Sequence, residues 1–273
     1  MRAWRWLGPA VAVLLLVTAW PVVRAVWTSL FTSSLTSPDD RSFVGLDNYV
    51  DLLTSRTWWV AVAATLAIVA AAVLVQLVLG LLFAAALHRL TTVWPVTRVL
   101  LLLPFGLLAV VSAVVWRDAV TTGFVAEWFR LDDVGSLGSL VGVVVGEIWR
   151  GTGITAVILL AGLLRVPSSL MASAVADGAT ARQRFTRVAL PAMAPAIAVA
   201  TTYRALDALR MLEGPLLVDE PGAGVRTVPF LVWDTTFSSF EVGLGAAMSV
   251  LLLLLAGLVA AFLVPVLRVR RIV

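Results

Sequence analysis

AGLLRVPSSLMASAVADGATARQRFTRVALPAMAP, residues 161–195, is a polar interruption between two strongly apolar stretches. Its punctuation predicts two short helices joined by a tight turn. Pro167 ends the preceding helix, and Ser168 or Ser169 supplies an N-cap for the next. Leu170, Met171, Ala174 and Val175 give that helix one apolar face. Asp177-Gly178 is a turn signal, because glycine reaches positive φ at no steric cost. A second short helix follows, with Phe185 and Val188 on one side and Arg182, Arg184 and Arg187 on the others. Pro191 is expected to open the next long helix, where its missing N–H costs little. From the residues alone, two readings stay open. One is an amphipathic hairpin resting on anionic headgroups; the other is a docking knob for a partner protein.

Outward from this loop, the chain is dominated by apolar runs. Hydrophobic residues make up 61% of the 273 and charged residues 13%, with a mean hydropathy of +1.01; soluble domains have roughly 45–50% and about 25% respectively. A membrane-crossing helix needs about 20 mainly apolar residues. Six stretches qualify as expected spans: Leu7 to Leu30, Trp58 to Leu87, Val99 to Trp116, Leu140 to Leu164, Pro191 to Leu212 and Gly243 to Leu267. The first has Arg2 and Arg5 before it but is long for a signal peptide and has no A-x-A site after it, so it reads as a retained anchor. The expected fold is an all-α integral membrane protein, one transmembrane domain over 1–273.

Loop charges orient the spans. One face carries Arg2, Arg5, Arg89, Arg98, Arg165, Arg182, Arg184, Arg187, Arg268, Arg270 and Arg271 against the single acid Asp177. The opposite loops, 31–57, 117–139 and 213–242, hold Arg41, Arg56, Arg117, Arg130 and Arg226 among 13 acids. The positive-inside rule therefore predicts cytoplasmic N- and C-termini and a cytoplasmic 165–190 loop. Trp4, Trp6, Trp27, Trp58, Trp59, Trp94, Trp116, Trp128 and Trp233 fall near span ends, where an apolar ring with a polar N–H suits the interface.

The same composition excludes several chemistries. There is no cysteine and a single histidine, His88, so thiolate metal sites, cysteine nucleophiles and histidine clusters are ruled out. All 20 basic residues are arginine, so a P-loop lysine is absent as well. The chain is expected not to be an enzyme and to bind no cofactor or metal itself.

The 161–195 stretch resembles the coupling loop of ABC-importer permeases, whose pattern is EAAxxDGAxxxxxFxxxxLPxxxP. It matches at Ala174, Asp177, Gly178, Ala179, Phe185, Leu190, Pro191 and Pro195. Ala172 stands where the family has Glu, and Ser173 replaces the next Ala. GLDNY at 45–49 resembles the GLxNY motif of carbohydrate-uptake permeases of the maltose-F-like type. Leu79-Gly80, Pro104, EIWR at 147–150, AGLLRVP at 161–167 and GLGAAMS at 243–249 fall in the family's order. Val218-Asp219-Glu220-Pro221 replaces the usual LTGG-type signature. RALDALR at 204–210, the TSPDDRSFVGLDNY loop and GEIWR are similar to permeases of actinobacterial trehalose importers.

The resemblance implies a type I importer permease fold in a bacterial plasma membrane. It implies a heterodimer with a second, homologous permease, two cytoplasmic ATPase subunits that bind ATP and Mg, and an extracytoplasmic lipoprotein that delivers a sugar. It assigns ATPase coupling to Ala172, Ser173, Ala174, Asp177, Gly178, Ala179, Arg182 and Phe185.

Ionisable residues inside a span are functional candidates by default. Arg204, Asp207 and Arg210 share one face of the fifth span at i, i+3, i+6 spacing, about 20 Å from Pro191 along a straight helix. Glu147 and Arg150 repeat the i, i+3 spacing in the fourth. With Trp149 and Tyr203 as stacking rings, these seven are the candidate solute pathway. The competing reading is that the charges pair within and between helices to hold the bundle. Gln76 is a weaker candidate, and Arg24 is expected to snorkel outward. Alternatives to a sugar importer are a permease for an anionic solute such as a glycerol phosphodiester, an ion-coupled secondary transporter and a non-transporting scaffold. An anionic solute calls for unpaired arginines in the pathway. A secondary transporter calls for matched, Gly/Pro-interrupted spans, and no such pair is evident.

Overall fold

A computed structural model describes residues 2–34, 36, 41–89, 94–107, 109–129, 135–212 and 226–266. These residues are helical almost throughout, apart from one short hairpin. The C-terminal arginines from Arg268, the acidic stretch containing Asp219 and Glu220, and the Val218–Pro221 replacement lie outside them. The chain divides into two compact units, residues 1–64 with 226–255, and residues 65–225 with 256–273.

In the first unit, α1 (Arg2–Thr28) ends at a buried Ser29. β1 (Phe31–Thr32) pairs antiparallel with β2 (Ser42–Phe43), a small departure from the all-α expectation. Arg41 lies over the Phe31 ring at 3.9 Å, and Trp27 and Phe43 contact the same ring. The GLDNY stretch closes this turn. Gly45 takes φ +59°, α2 (Asp47–Thr54) follows, and Asn48 Nδ2 donates to the carbonyls of Ser29 at 2.7 Å and Phe31 at 3.2 Å. The Tyr49 hydroxyl pairs with Ser29 Oγ. The motif's observed work is therefore to tie down the backbone that leaves α1. In the same unit, α12 (Val228–Trp233) starts on a Thr227 cap, a π-helical turn covers Asp234–Ser238, and α13 (Val242–Val266) begins against Ser33 and Phe31.

The second unit is organised around α7 (Gly135–Leu163). α3 (Arg56–Arg89), α5 (Ala109–Thr121) and α11 (Ala194–Ala208) lean on it through glycines. A short helix, α6 (Phe124–Phe129), follows α5. A Cβ on Gly142 would lie 2.7 Å from the Trp116 carbonyl oxygen, and one on Gly146 3.2 Å from that of Ser112. This four-residue spacing of small residues lets helix backbones approach closely where lipid supplies no hydrophobic drive. Gly80 plays the same part towards Thr155, and Gly162 towards Ala196.

Among the described residues, three helices are long and apolar enough to cross a membrane, within Arg56–His88, Val141–Leu163 and Val242–Pro265. Counted as one broken span, the pair Ala181–Ala192 and Ala194–Ala208, bent by 67°, makes a fourth. The first expected span is continuous helix in α1. The third is not one helix. It consists of α4 (Trp94–Gly106) and α5, because Pro104 and Gly106 break the ladder and Leu107 turns back onto the Pro104 carbonyl. The fifth also differs: Pro191 sits in a three-residue turn, α10 (Leu190–Ala192), and the long helix starts at Ala194 with Pro195 at its N-terminus.

Gly142→Ala should lower the protein's stability in detergent by about 1–3 kcal/mol, the usual cost of forcing a methyl into a filled contact. Gly257, where an added Cβ would meet no atom within 4 Å, is the control: Gly257→Ala should not destabilise. Thermal melts of the two variants check both.

Candidate functional site

Arg204 is the largest fully buried side chain among the described residues. α11 carries it into the second unit, and three helices satisfy it. Its Nε donates to Gln76 Oε1 of α3 at 2.9 Å, its Nη1 to Asp207 Oδ2 at 2.6 Å, and its Nη2 to Glu147 Oε1 of α7. Gln76 Nε2 in turn donates to the Glu147 backbone carbonyl at 2.8 Å. Gly151 makes the space, since a Cβ there would run into both Arg204 and Gln76.

Arg150 extends the cluster. It donates to Glu147 Oε2 at 2.9 Å and lies 3.4 Å from Asp207 Oδ2. Two arginines and two carboxylates are thus mutually neutralised in a low-dielectric setting, where each charge is tolerable only when paired. Arg210 reaches Asp207 at 3.4 Å from the rim and is 75% exposed. Of the five charged residues expected from helical spacing, four are therefore brought together, with Arg210 at the edge. Both open readings of the sequence meet here, and pairing is what the geometry displays. The rings stand apart from the cluster: Trp149 packs on Trp116 at 6.0 Å, and Tyr203 is 40% exposed. The 67° bend also shortens the expected rise, because Arg204 is only about 15 Å along α11 from Ala194.

Gln76 and Gly151 complete the cluster. Gln76 carried a sequence signal as a lone amide in an apolar helix. Gly151 carried none, because its role depends on which helix crosses above it.

The 165–190 loop has the predicted helix–turn–helix form with different caps. α8 (Ser168–Ala176) is preceded by Pro167 at its N-cap, and neither Ser168 nor Ser169 caps it. It ends in a Schellman motif. The Ala179 N–H donates to the Ala174 carbonyl, the Gly178 N–H to that of Val175, and Gly178 sits at φ +75° with open space around it. α9 (Ala181–Arg184) opens with a capping box between Thr180 and Gln183 and passes into a π-helical turn, Phe185–Ala189.

The eight residues expected to couple divide by exposure. Ala172, Ser173, Asp177, Gly178 and Arg182 face outward, while Ala174 and Ala179 are half-buried beneath them. Phe185 packs with Met171 on a core of Leu87, Leu159, Leu160, Leu163 and Met193. Phe185 is thus placed to anchor the knob to α3, α7 and α11. Among the described residues there is no cluster of three or more His, Asp or Glu that could hold a metal.

Comparison with known proteins gives a consistent picture. A family described as binding-protein-dependent transport system inner membrane component matches residues 86–272. The trehalose transport system permease protein SugA of Mycobacterium tuberculosis is 39% identical over 90% of this chain and 81% of its own length. The trehalose/maltose transport system permease protein MalF of Thermococcus litoralis is 28% identical over 96% and 91%. A subunit of a bacterial alginate ABC transporter, solved with an alginate pentasaccharide-bound periplasmic protein, superposes with a TM-score of 0.79 at 21% identity over 97% of this chain and 93% of that one.

Arg204→Met should cost about 3–5 kcal/mol, because it leaves buried Glu147 and half-buried Asp207 to share Arg150, with Arg210 only at the rim. Arg210→Gln should cost less than about 1 kcal/mol, as expected of an exposed pair. Denaturation of the purified variants in detergent distinguishes the two.

Proposed function

The chain belongs to the binding-protein-dependent transport system inner membrane components, and on that premise we propose that it is one permease subunit of an ATP-driven importer of trehalose or a related disaccharide. The observation that carries this reading is the outward-facing knob at 168–184, built on a Schellman turn and a capping box and fastened to three long helices by Met171 and Phe185. A surface loop that only rests on lipid needs no such rigid mounting. A loop that transmits force does.

In this reading the chain crosses the bacterial plasma membrane six times with both termini in the cytoplasm. It forms half of a solute pathway with a second permease. Two ATPase subunits bind ATP and Mg and press on Ala172, Ser173, Asp177, Gly178 and Arg182. An extracytoplasmic binding protein hands over the sugar. The chain binds no nucleotide, in keeping with its lack of lysine. Glu147, Arg150, Arg204, Asp207 and Arg210 border the pathway, with Trp149 and Tyr203 as candidate stacking rings.

Charge pairing favours a neutral solute over a glycerol phosphodiester. Arg204 and Arg150 are both engaged by carboxylates, so an anion would have to compete with Glu147 and Asp207 for them. Membership of a binding-protein-dependent transport family supports this reading over ion-coupled exchange.

Two measurements test the proposal. Cells lacking the gene should lose uptake of labelled trehalose and regain it with the intact gene; unlabelled neutral disaccharides should compete, and glycerol phosphodiesters should not. Trehalose uptake that survives the deletion, in a strain without a second importer, would overturn the substrate. Gly178→Pro forbids φ +75° and should leave membrane insertion and ATP hydrolysis in place while abolishing uptake. Normal uptake by this variant would remove the coupling role.

A further inference from the structure

At the end of α7 and the start of α11, the two helices leave an open apolar groove of about 360 Å³. It is lined by small residues, Ala161, Gly162 and Ala196, together with Ile158, Met193 and Val199. The groove has a local cause. Gly162 and Ala196 bring the helices into contact, and the 67° bend beside Met193 then turns the preceding chain away from α11. From Ile158 to Arg165 it runs about 10 Å, roughly two thirds of one leaflet's hydrocarbon.

Arg165 stands at the rim. It is exposed, and among the described residues it has no acidic partner. The surrounding loop adds Arg182, Arg184 and Arg187 against the single acid Asp177. An apolar slot that opens under an unpaired guanidinium matches the two halves of one class of molecule, an acyl chain below a phosphate. Basic clefts between helices on the cytoplasmic side suit anionic headgroups, and a planar guanidinium holds a phosphate through two parallel hydrogen bonds.

We propose that this groove binds one anionic phospholipid of the cytoplasmic leaflet, its phosphate on Arg165 and one acyl chain along Ala161, Gly162, Ala196 and Val199. The lipid buttresses the bend through which the 168–184 knob joins α11. The proposal rests on the membrane-permease reading with the arginine-rich face towards the cytoplasm.

The test is native mass spectrometry of the complete importer, purified in detergent and offered phosphatidylglycerol or phosphatidylcholine. The intact importer should retain phosphatidylglycerol in preference. Arg165→Gln should reduce that preference about fivefold, the factor one arginine near an anionic surface supplies. Val199→Trp, which fills the groove from an exposed position, should reduce retention of both lipids. Inorganic phosphate alone should not displace the lipid. Equal retention of the two lipids by the intact importer, or unchanged retention by either variant, overturns the proposal. Displacement by phosphate replaces it with a free-anion site. A photoreactive group at Val199 that cross-links to the second permease instead of to lipid replaces it with a subunit interface. Trehalose uptake by the same preparation in vesicles is recorded separately, so failure of the sugar reading leaves the lipid result readable.

Discussion

A guanidinium that gives up all contact with water must find an acceptor for each N–H direction it presents. Arg204 imposes that constraint on the second unit. Its acceptors cannot all come from its own helix, so Gln76 of α3 and Glu147 of α7 are drawn to it beside the local Asp207. Those contacts fix which faces of α3, α7 and α11 meet. Gly151 has to be bare at the crossing, and Gly80 and Gly162 let the same helices touch further along. Directional polar contacts of this kind carry unusual weight in lipid, where burial of apolar side chains no longer favours one helix arrangement over another.

The frame set by that cluster reaches the loop beyond it. Met171 and Phe185 insert into the core made by α3, α7 and α11. The knob is therefore mounted on the helices that hold the ion pairs, with a π-helical turn and a 67° bend between the mount and Arg204. The path from exposed Asp177 to buried Arg204 is one continuous piece of chain, helical from Ala181 onward and bent by 67° at Met193.

Much of this was legible in the sequence. The apolar runs, Pro167, the Asp177-Gly178 turn and the i, i+3 charges each depend on neighbours within a few residues, and each has a local signature. What escaped depends on contacts between distant residues or on competition between breakers. Pro104 and Gly106 both weaken the third span, and their combined effect was a complete interruption. Pro191 was expected to open the fifth span, and the structure starts the long helix at Ala194, with Pro195 at its N-terminus. Ser168 and Ser169 had the chemistry of a cap, yet α8 starts after Pro167 with no side-chain cap, and the capping box in this loop is that of Thr180 and Gln183 on α9. The rings of Trp149 and Tyr203 share the helices of the charged cluster but not its face. That follows from the 100° step of a helix once the positions of Glu147 and Arg204 are known.

The zero sum of the buried cluster has an electrical meaning. A charge displaced across a membrane potential exchanges about 2.3 kcal/mol of work per 100 mV. Glu147, Arg150, Arg204 and Asp207 together carry no net charge. When the helices that hold them shift as a group, the field performs no work on that group. The cell's voltage thus neither assists nor resists a translation of this group across the membrane.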